Sequence, residues 1–204
     1  MGISCRDDQR AVRIRTKERE MAELKLPKKY RKNNPNILEQ LKEDFKEDKP
    51  FNYFFTGNVG CGKTYLAKII IYSTGGSGSW EILECRNVYK DYLRLMESNY
   101  TDKHEALQRL DDKVKKKMVL IDDLGDERPS TPGSHDYVGS LLVERCETIK
   151  RTGTCNTLIT TNLKQKEIME MYGSRVVDRL EENFIMMKFE DHSFRRDKRQ
   201  IIKG

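Results

Sequence analysis

Residues 57–64 read Gly-Asn-Val-Gly-Cys-Gly-Lys-Thr, which fits the pattern G-x-x-x-x-G-K-[ST]. Glycines let the backbone turn tightly and aim consecutive N–H groups at one point. A helix starting at Lys63 brings the positive end of its dipole to the same point. Such a concavity suits phosphate. Lys63 would place a charge at the β- and γ-phosphates of a nucleotide, and the Thr64 hydroxyl would ligate Mg²⁺. The flanks agree. Phe51-Asn52-Tyr53-Phe54-Phe55 reads as a buried strand, and residues 65–72 read as a helix. The candidate nucleotide contacts are therefore Gly57, Asn58, Val59, Gly60, Cys61, Gly62, Lys63, Thr64 and Tyr65.

A chain of 204 residues is long enough for one well-buried domain with a short appendage. Its formal charge of +6 is unevenly spread. Residues 1–32 carry 11 basic and 5 acidic side chains, residues 192–204 carry 5 and 1, and the middle carries 23 and 27. Basic ends on a mildly acidic centre suggest a polyanion or an acidic protein as partner, with solvated tails as the plainer explanation. The five cysteines are scattered without a C-x-x-C pair, and the three histidines stand apart. Neither disulfides nor a structural zinc site is implied. No stretch reads as a signal peptide or a membrane span, so the expected setting is cytoplasmic, with no membrane partner.

Helical composition runs over 10–26, followed by Pro27 and the basic stretch Lys28-Lys29-Tyr30-Arg31-Lys32. That stretch suits contact with nucleic acid through phosphates and stacking, or an exposed linker. Asn34-Pro35 reads as a helix start, and Ile37, Leu38, Leu41 and Phe45 follow at helical spacing. Past a Gly/Ser-rich turn at 74–79, residues 80–83 form a second strand. Val88, Tyr92, Leu95 and Met96 mark a helix, and a polar helix covers about 103–113. A loop at 127–134 precedes a long helix that ends near Gly153. Residues 156–160 and 184–189 are the fourth and fifth strands. Helices lie between them, one containing Ile168, Met169 and Tyr172 and one starting at Ser174 as N-cap. Strands alternating with helices predict an α/β fold with a parallel sheet and helices on both faces.

The third strand carries the second chemical signal. Four apolar residues, Met118-Val119-Leu120-Ile121, run into Asp122 and Asp123, followed by Leu124-Gly125. A buried parallel strand delivers these carboxylates at its C-terminal end, where ligands of open α/β sheets bind. Asp122 would hold the Mg²⁺ shell, and Asp123 would act as general base on the attacking water. The fourth strand ends in Thr161-Asn162, and Asn162 could hydrogen-bond the γ-phosphate or that water. Arg175 and Arg179 are four apart and share one helix face. A solvated face with Asp178 and Glu181 as local partners is the bland alternative for them.

Taken together, the pieces resemble the DnaC-like helicase loaders, a branch of the AAA+ ATPases that includes IstB-like transposition helpers. The matching stretches are 57–64, Val119-Leu120-Ile121-Asp122-Asp123-Leu124-Gly125, Ile159-Thr160-Thr161-Asn162-Leu163 and Ser174-Arg175-Val176-Val177-Asp178-Arg179-Leu180. The resemblance covers about 28–195. It implies a P-loop NTPase sheet of order 5-1-4-3-2, ATP and Mg²⁺ as cofactors, and Asp122 and Asp123 as Walker B acids. It makes Asn162 the first sensor. Arg179, with Arg175 as helper, becomes an arginine finger that reaches a neighbouring subunit's nucleotide. Implied partners are a replicative helicase, single-stranded DNA, and further copies of the chain across an ATP-bridged interface. The expected organisation is a basic arm at 1–32, the ATPase domain at 33–191 and a basic tail at 192–204.

Two departures from the family stand out. Only about 50 residues precede the loop, so helicase binding would fall on 1–32 or be lost. No helical lid follows the last strand, so a second sensor arginine could come only from Arg195 or Arg196. Other functions stay open at this level. A transposition helper shares every motif named, whereas a small P-loop kinase would want an arginine-bearing lid. A non-hydrolysing nucleotide-gated adaptor is a further option, because Asp123 stands where a longer Glu is more usual.

Overall fold

Phe51, Tyr53 and Phe55 take alternate positions, and their rings stack along one face, with centroids 5.4 and 6.0 Å apart. Phe54, between them, belongs to a different core on the opposite face. This two-residue alternation is that of a strand buried on both sides. The computed structural model describes residues 34–46, 50–74, 80–97, 100–127, 134–190 and 193–194. The strands are β1 (Asn52–Thr56), β2 (Trp80–Glu84), β3 (Met118–Leu124), β4 (Asn156–Thr161) and β5 (Ile185–Lys188). The helices are α1 (Pro35–Lys46), α2 (Lys63–Thr74), α3 (Cys85–Glu97), α4 (Tyr100–Val114), α5 (Ser134–Thr152), α6 (Gln165–Tyr172) and α7 (Ser174–Asn183).

The strands form one sheet, β2-β3-β4-β1-β5, with every neighbouring pair parallel. Read from the other edge, this is the 5-1-4-3-2 order that the resemblance implied. Tyr53, Phe55, Met118, Leu120 and Leu158 pack on one face with Leu41 of α1 and Leu66 and Ile70 of α2. Phe54, Val119, Ile121 and Ile159 pack on the other with residues of α3, α5, α6 and α7. Helices therefore cover both faces. The phosphate-loop candidate lies at the C-terminal end of β1, which is flanked by β4 and β5.

Two local findings differ from expectation. Ser174 is not the N-cap of α7. Gly173 occupies that position at φ 82°, and no side chain caps the helix. The reason is economy of chain: the Gly173 N–H closes α6 on the Met169 carbonyl, and the Gly173 carbonyl accepts from Val177 N–H to start α7. One glycine serves both ends, and no residue remains for a side-chain cap. Thr161, expected in the turn after β4, is its last strand residue, paired with Thr56 and Leu124. The helix over 10–26, the basic stretch 28–32, the turn at 75–79, the loop at 128–133 and the tail from 195 lie outside the described residues. So do the side chains of Phe45, Leu95 and Met96.

At the N-terminal edge of the sheet sits Arg145, fully buried. It donates to Thr157 Oγ1 (2.8 Å), Val114 O (2.7 Å), Lys116 O (2.7 Å) and Asn156 O (2.8 Å). It ties the end of α4 and the starts of β3 and β4 to α5. Arg145→Met would leave those acceptors buried without donors, at a cost of about 3 kcal/mol or more. Urea unfolding should show the midpoint drop at an unchanged slope.

Candidate functional site

The loop at 57–64 joins β1 to α2. Gly57, Gly60 and Gly62 have φ of 144°, 87° and 97°, a backbone that residues with a Cβ rarely adopt. The loop is pinned at three places. The Cys61 N–H donates to Asn58 O, the Leu66 N–H to Gly62 O, and the Phe194 N–H to Gly60 O at 3.0 Å. First-turn amides of a helix have no intrahelical acceptors, so the start of α2 offers donors and positive potential at the loop.

Lys63 is buried, and its ammonium is held on all sides. Nζ donates to Gly57 O (2.7 Å), Asn58 O (2.9 Å) and Asn162 Oδ1 (2.9 Å), and lies 3.6 Å from Cys61 Sγ. The loop lysine is thereby joined to the end of β4.

Asp122 is 3% exposed, and its carboxylate is the junction of three elements. Oδ1 accepts from Thr64 Oγ1 of α2 (2.9 Å) and from Thr160 Oγ1 of β4 (2.7 Å). Oδ2 faces Lys68 Nζ of α2 at 3.5 Å, and Lys68 also reaches Glu84 at 3.9 Å. Alternation explains the convergence. Asp122 follows Leu120 by two and Thr160 follows Leu158 by two, so both point to the face that α2 covers.

The alternation breaks immediately afterwards. Ile121 pairs with Ile159, but Leu124 pairs with Thr161, so β3 has one extra residue. Asp123 takes φ 54° at this bulge, and its N–H donates to Thr160 Oγ1 at 2.9 Å. Among described residues other than glycine, it alone has positive φ. Bulges re-aim side chains, and strain of this kind gathers at functional sites. The switch in parity sends Leu124 into the opposite core from Leu120. A turn follows, closed by Asp126 N–H on Asp123 O. The buried Cys85 lies nearby. Burial first, then the carboxylates of Glu127, Asp122 and Asp123, push its thiol pKa well up, so it stays protonated.

Lys63 thus meets Asn162 and the adjacent Thr64 meets Asp122, with the Asp123 backbone alongside through Thr160. Val59 and Tyr65 are exposed beside the loop. Arg175 and Arg179 do not join them. They lie on α7, which packs against α5 and α6. The Arg179 guanidinium pairs with Glu147 of α5 (3.1 Å) and Glu182 (3.5 Å) rather than with Asp178 or Glu181. Arg175 is exposed and has no ion-pair partner among the described residues.

Sequence reading missed Lys68, Thr160, Glu127 and Tyr172. Lys68 was accessible, since it lies four residues after Thr64 and so on the same helix face. Thr160 was accessible from strand parity. Glu127 and Tyr172 are 45 residues apart, and no local pattern joins them.

A family model described as "ATPase family associated with various cellular activities (AAA)" matches residues 53–186. Among solved structures, the chain is similar to the DnaC helicase loader, with 21% identity and a TM-score of 0.58, covering 80% of this chain and 100% of that one. It is similar to AMPPCP-bound DnaA from Aquifex aeolicus, with 16% identity and a TM-score of 0.61, covering 90% of this chain and 54% of that one. Domain III of DnaA from Thermotoga maritima matches with 16% identity and a TM-score of 0.55, covering 90% of this chain and 71% of that one. At these identities the likeness is one of fold, and the chain spans about half of the Aquifex protein. No curated protein matches the sequence.

The two signature stretches meet at Gly125 and Leu163. A Cβ on Gly125 would lie 2.4 Å from Leu163 Cδ1 and 2.7 Å from its Cγ, and φ is 96°. Gly125→Ala should therefore destabilise the fold by about 1–3 kcal/mol through overpacking and backbone strain. Thermal melting of the variant beside the parent protein checks this, with a lowered midpoint as the expected result.

Proposed function

The chain belongs to the ATPase family associated with various cellular activities (AAA), and from that premise we propose that it binds and hydrolyses ATP at the 57–64 loop. In this reading it acts in DNA replication, loading or remodelling a replicative helicase on single-stranded DNA. The observation that carries the nucleotide part is the contact of Lys63 and Thr64 with Asn162 and Asp122. The replication part rests on likeness of fold to the DnaC loader and DnaA, and on the basic ends.

Thr64 Oγ1 and Asp122 Oδ1 are hard oxygen ligands 2.9 Å apart, a donor pair that fits Mg²⁺. When bound, Mg²⁺ would neutralise charge on the β- and γ-phosphate oxygens. Lys63 supplies positive charge to the same phosphates. Asp123 takes the proton of the attacking water. Asn162, bonded to Lys63, senses the γ-phosphate. The tail begins at the loop, because the Phe194 N–H is bonded to Gly60 O. That placement supports Arg195 or Arg196, the next residues, as a second sensor.

Arg175 and Arg179 act in this reading on the nucleotide of a neighbouring copy. The Arg179 ion pairs are partly exposed, and such pairs are worth about 0–1 kcal/mol each. Exchanging them for a phosphate contact is therefore cheap. α7 leads into β5, so it runs away from the C-terminal edge of the sheet. Arg175 is then the nearer of the two to the edge that carries the loop. The arm at 1–32 supplies the contact with helicase or DNA.

ATPase rate against protein concentration, with and without single-stranded DNA, tests the proposal. The rate per chain should rise with concentration, and phosphate should appear without any added acceptor. Lys63→Ala should abolish nucleotide binding or turnover; normal activity in that variant would remove the site assignment. Arg175→Ala and Arg179→Ala should keep ATP binding and lower assembly-dependent turnover, with a finger in trans worth about 10³–10⁵ in rate. Unchanged activity of both at every concentration would end the finger role. Capture of a transposase instead of a hexameric helicase on co-purification would replace loading with transposition.

A further inference from the structure

Two side chains outside every motif lie between the acidic turn and the arginine-bearing helix. Glu127 is buried, and both of its carboxylate oxygens accept hydrogen bonds. Oε2 accepts from the Gly125 N–H at 3.0 Å, and Oε1 accepts from the Tyr172 hydroxyl. Gly125 belongs to the turn that Asp123 begins. Tyr172 is the last residue of α6, Gly173 follows, and α7 opens one residue later. Tyr172 packs against the core on that face of the sheet and also lines a groove of about 360 Å³ with Ser140, Glu144 and Arg175.

Energetics make this a stiff link. A carboxylate is costly to take out of water unless its oxygens are bonded. Moving either the turn or the α6–α7 junction away would strand a buried charge. Burial, followed by the Glu127 charge, pushes the Tyr172 phenol pKa far up, so its hydroxyl remains a donor. Gly125 is held a second time by its contact with Leu163, which leads into α6. Arg175 lies three residues after Tyr172, one helical turn into the next helix. Only Gly173 and Ser174 separate the two residues along the chain.

We propose that Glu127 and Tyr172 are positioning residues that tie helix α7 to the acidic turn, so that the arginines offered to a neighbouring copy are set by the state of Asp122 and Asp123 in their own subunit. The inference rests on the trans-acting arginine reading above. It adds a route by which one copy's nucleotide site would govern the next.

Tyr172→Phe removes a single hydroxyl and leaves the ring in the groove wall. At concentrations that support assembly, kcat should fall about tenfold while KM for ATP stays within about twofold. The decisive comparison repeats the substitution in a chain carrying Arg175→Ala and Arg179→Ala, where it should cause no further loss. A role confined to stability would give the same fold loss in both backgrounds, and that result overturns the proposal. Wild-type kcat in Tyr172→Phe also overturns it. Glu127→Gln should reproduce the Tyr172→Phe pattern; where it fails to fold, Tyr172→Phe alone decides. If both arginine variants keep wild-type assembly-dependent turnover, the trans-acting reading falls and this inference with it. If they lose turnover and Tyr172→Phe does not, only this inference falls.

Discussion

The Asp122 carboxylate is the interaction on which the arrangement depends. It is nearly dry, and it joins α2, β3 and β4 through two hydroxyl donors and one ammonium. Hydrogen bonds to a charged group contribute about 1.5–3 kcal/mol each. Desolvating a carboxylate costs several kcal/mol. The sum is close to break-even, so the carboxylate adds little to net stability. Its effect is on relative position, because withdrawing any one partner leaves buried charge uncompensated. The Thr64 hydroxyl, the end of β3 and the end of β4 are therefore fixed against each other by mutual need.

That junction also accounts for the bulge. Asp122 must face α2 to meet Thr64, whereas Leu124 must face the opposite core. Two residues apart on a regular strand, they would share a face. One extra residue at positive φ resolves the conflict, and it falls on Asp123. The strain is local, and the turn that follows is tied down by Glu127 and Leu163. The proposed general base thus sits where the backbone is bent by the demands of its neighbours on either side.

Much of this was legible in the sequence, because the informative patterns were local. The loop glycines, the apolar run into two acids, and the strand–helix alternation each lie within a few residues. Parity alone puts Asp122 and Thr160 on the face that α2 covers. Sheet order was not legible in periodicity. It depends on which strands pair across long separations, and it came from resemblance. Ser174 was misread because Ser before an apolar helix is the usual cap, and nothing local says that Gly173 serves two helices. The Glu127–Tyr172 bond was invisible because its partners belong to different elements, and buried Glu and surface Glu look alike in a sequence. Arg145 falls within the long helix read before Gly153, and nothing in that pattern marks it as buried. The acceptors that compensate it are carbonyls, which every residue has.

Among the described residues, the cations at the loop are already committed. Lys63 is shared by two loop carbonyls and Asn162, and Lys68 faces Asp122. Hydrolysis of a nucleotide spreads negative charge over the γ-phosphate oxygens, and that charge calls for a further cation. The proposed function names two sources. The Phe194 N–H is bonded to Gly60 O, and the proposed second sensor, Arg195 or Arg196, follows it in the sequence of the same copy. Arg175 and Arg179 lie on α7, which packs against α5 and α6, and in the proposed reading they serve another copy's loop. A cation from the tail is independent of concentration, and a cation from a neighbour arrives only on assembly. A site drawing on both would bind nucleotide alone and complete its chemistry in company. In the proposed reading that division rests on α7, whose Val176, Val177 and Leu180 are buried while Arg175 is exposed and the Arg179 ion pairs are easily exchanged.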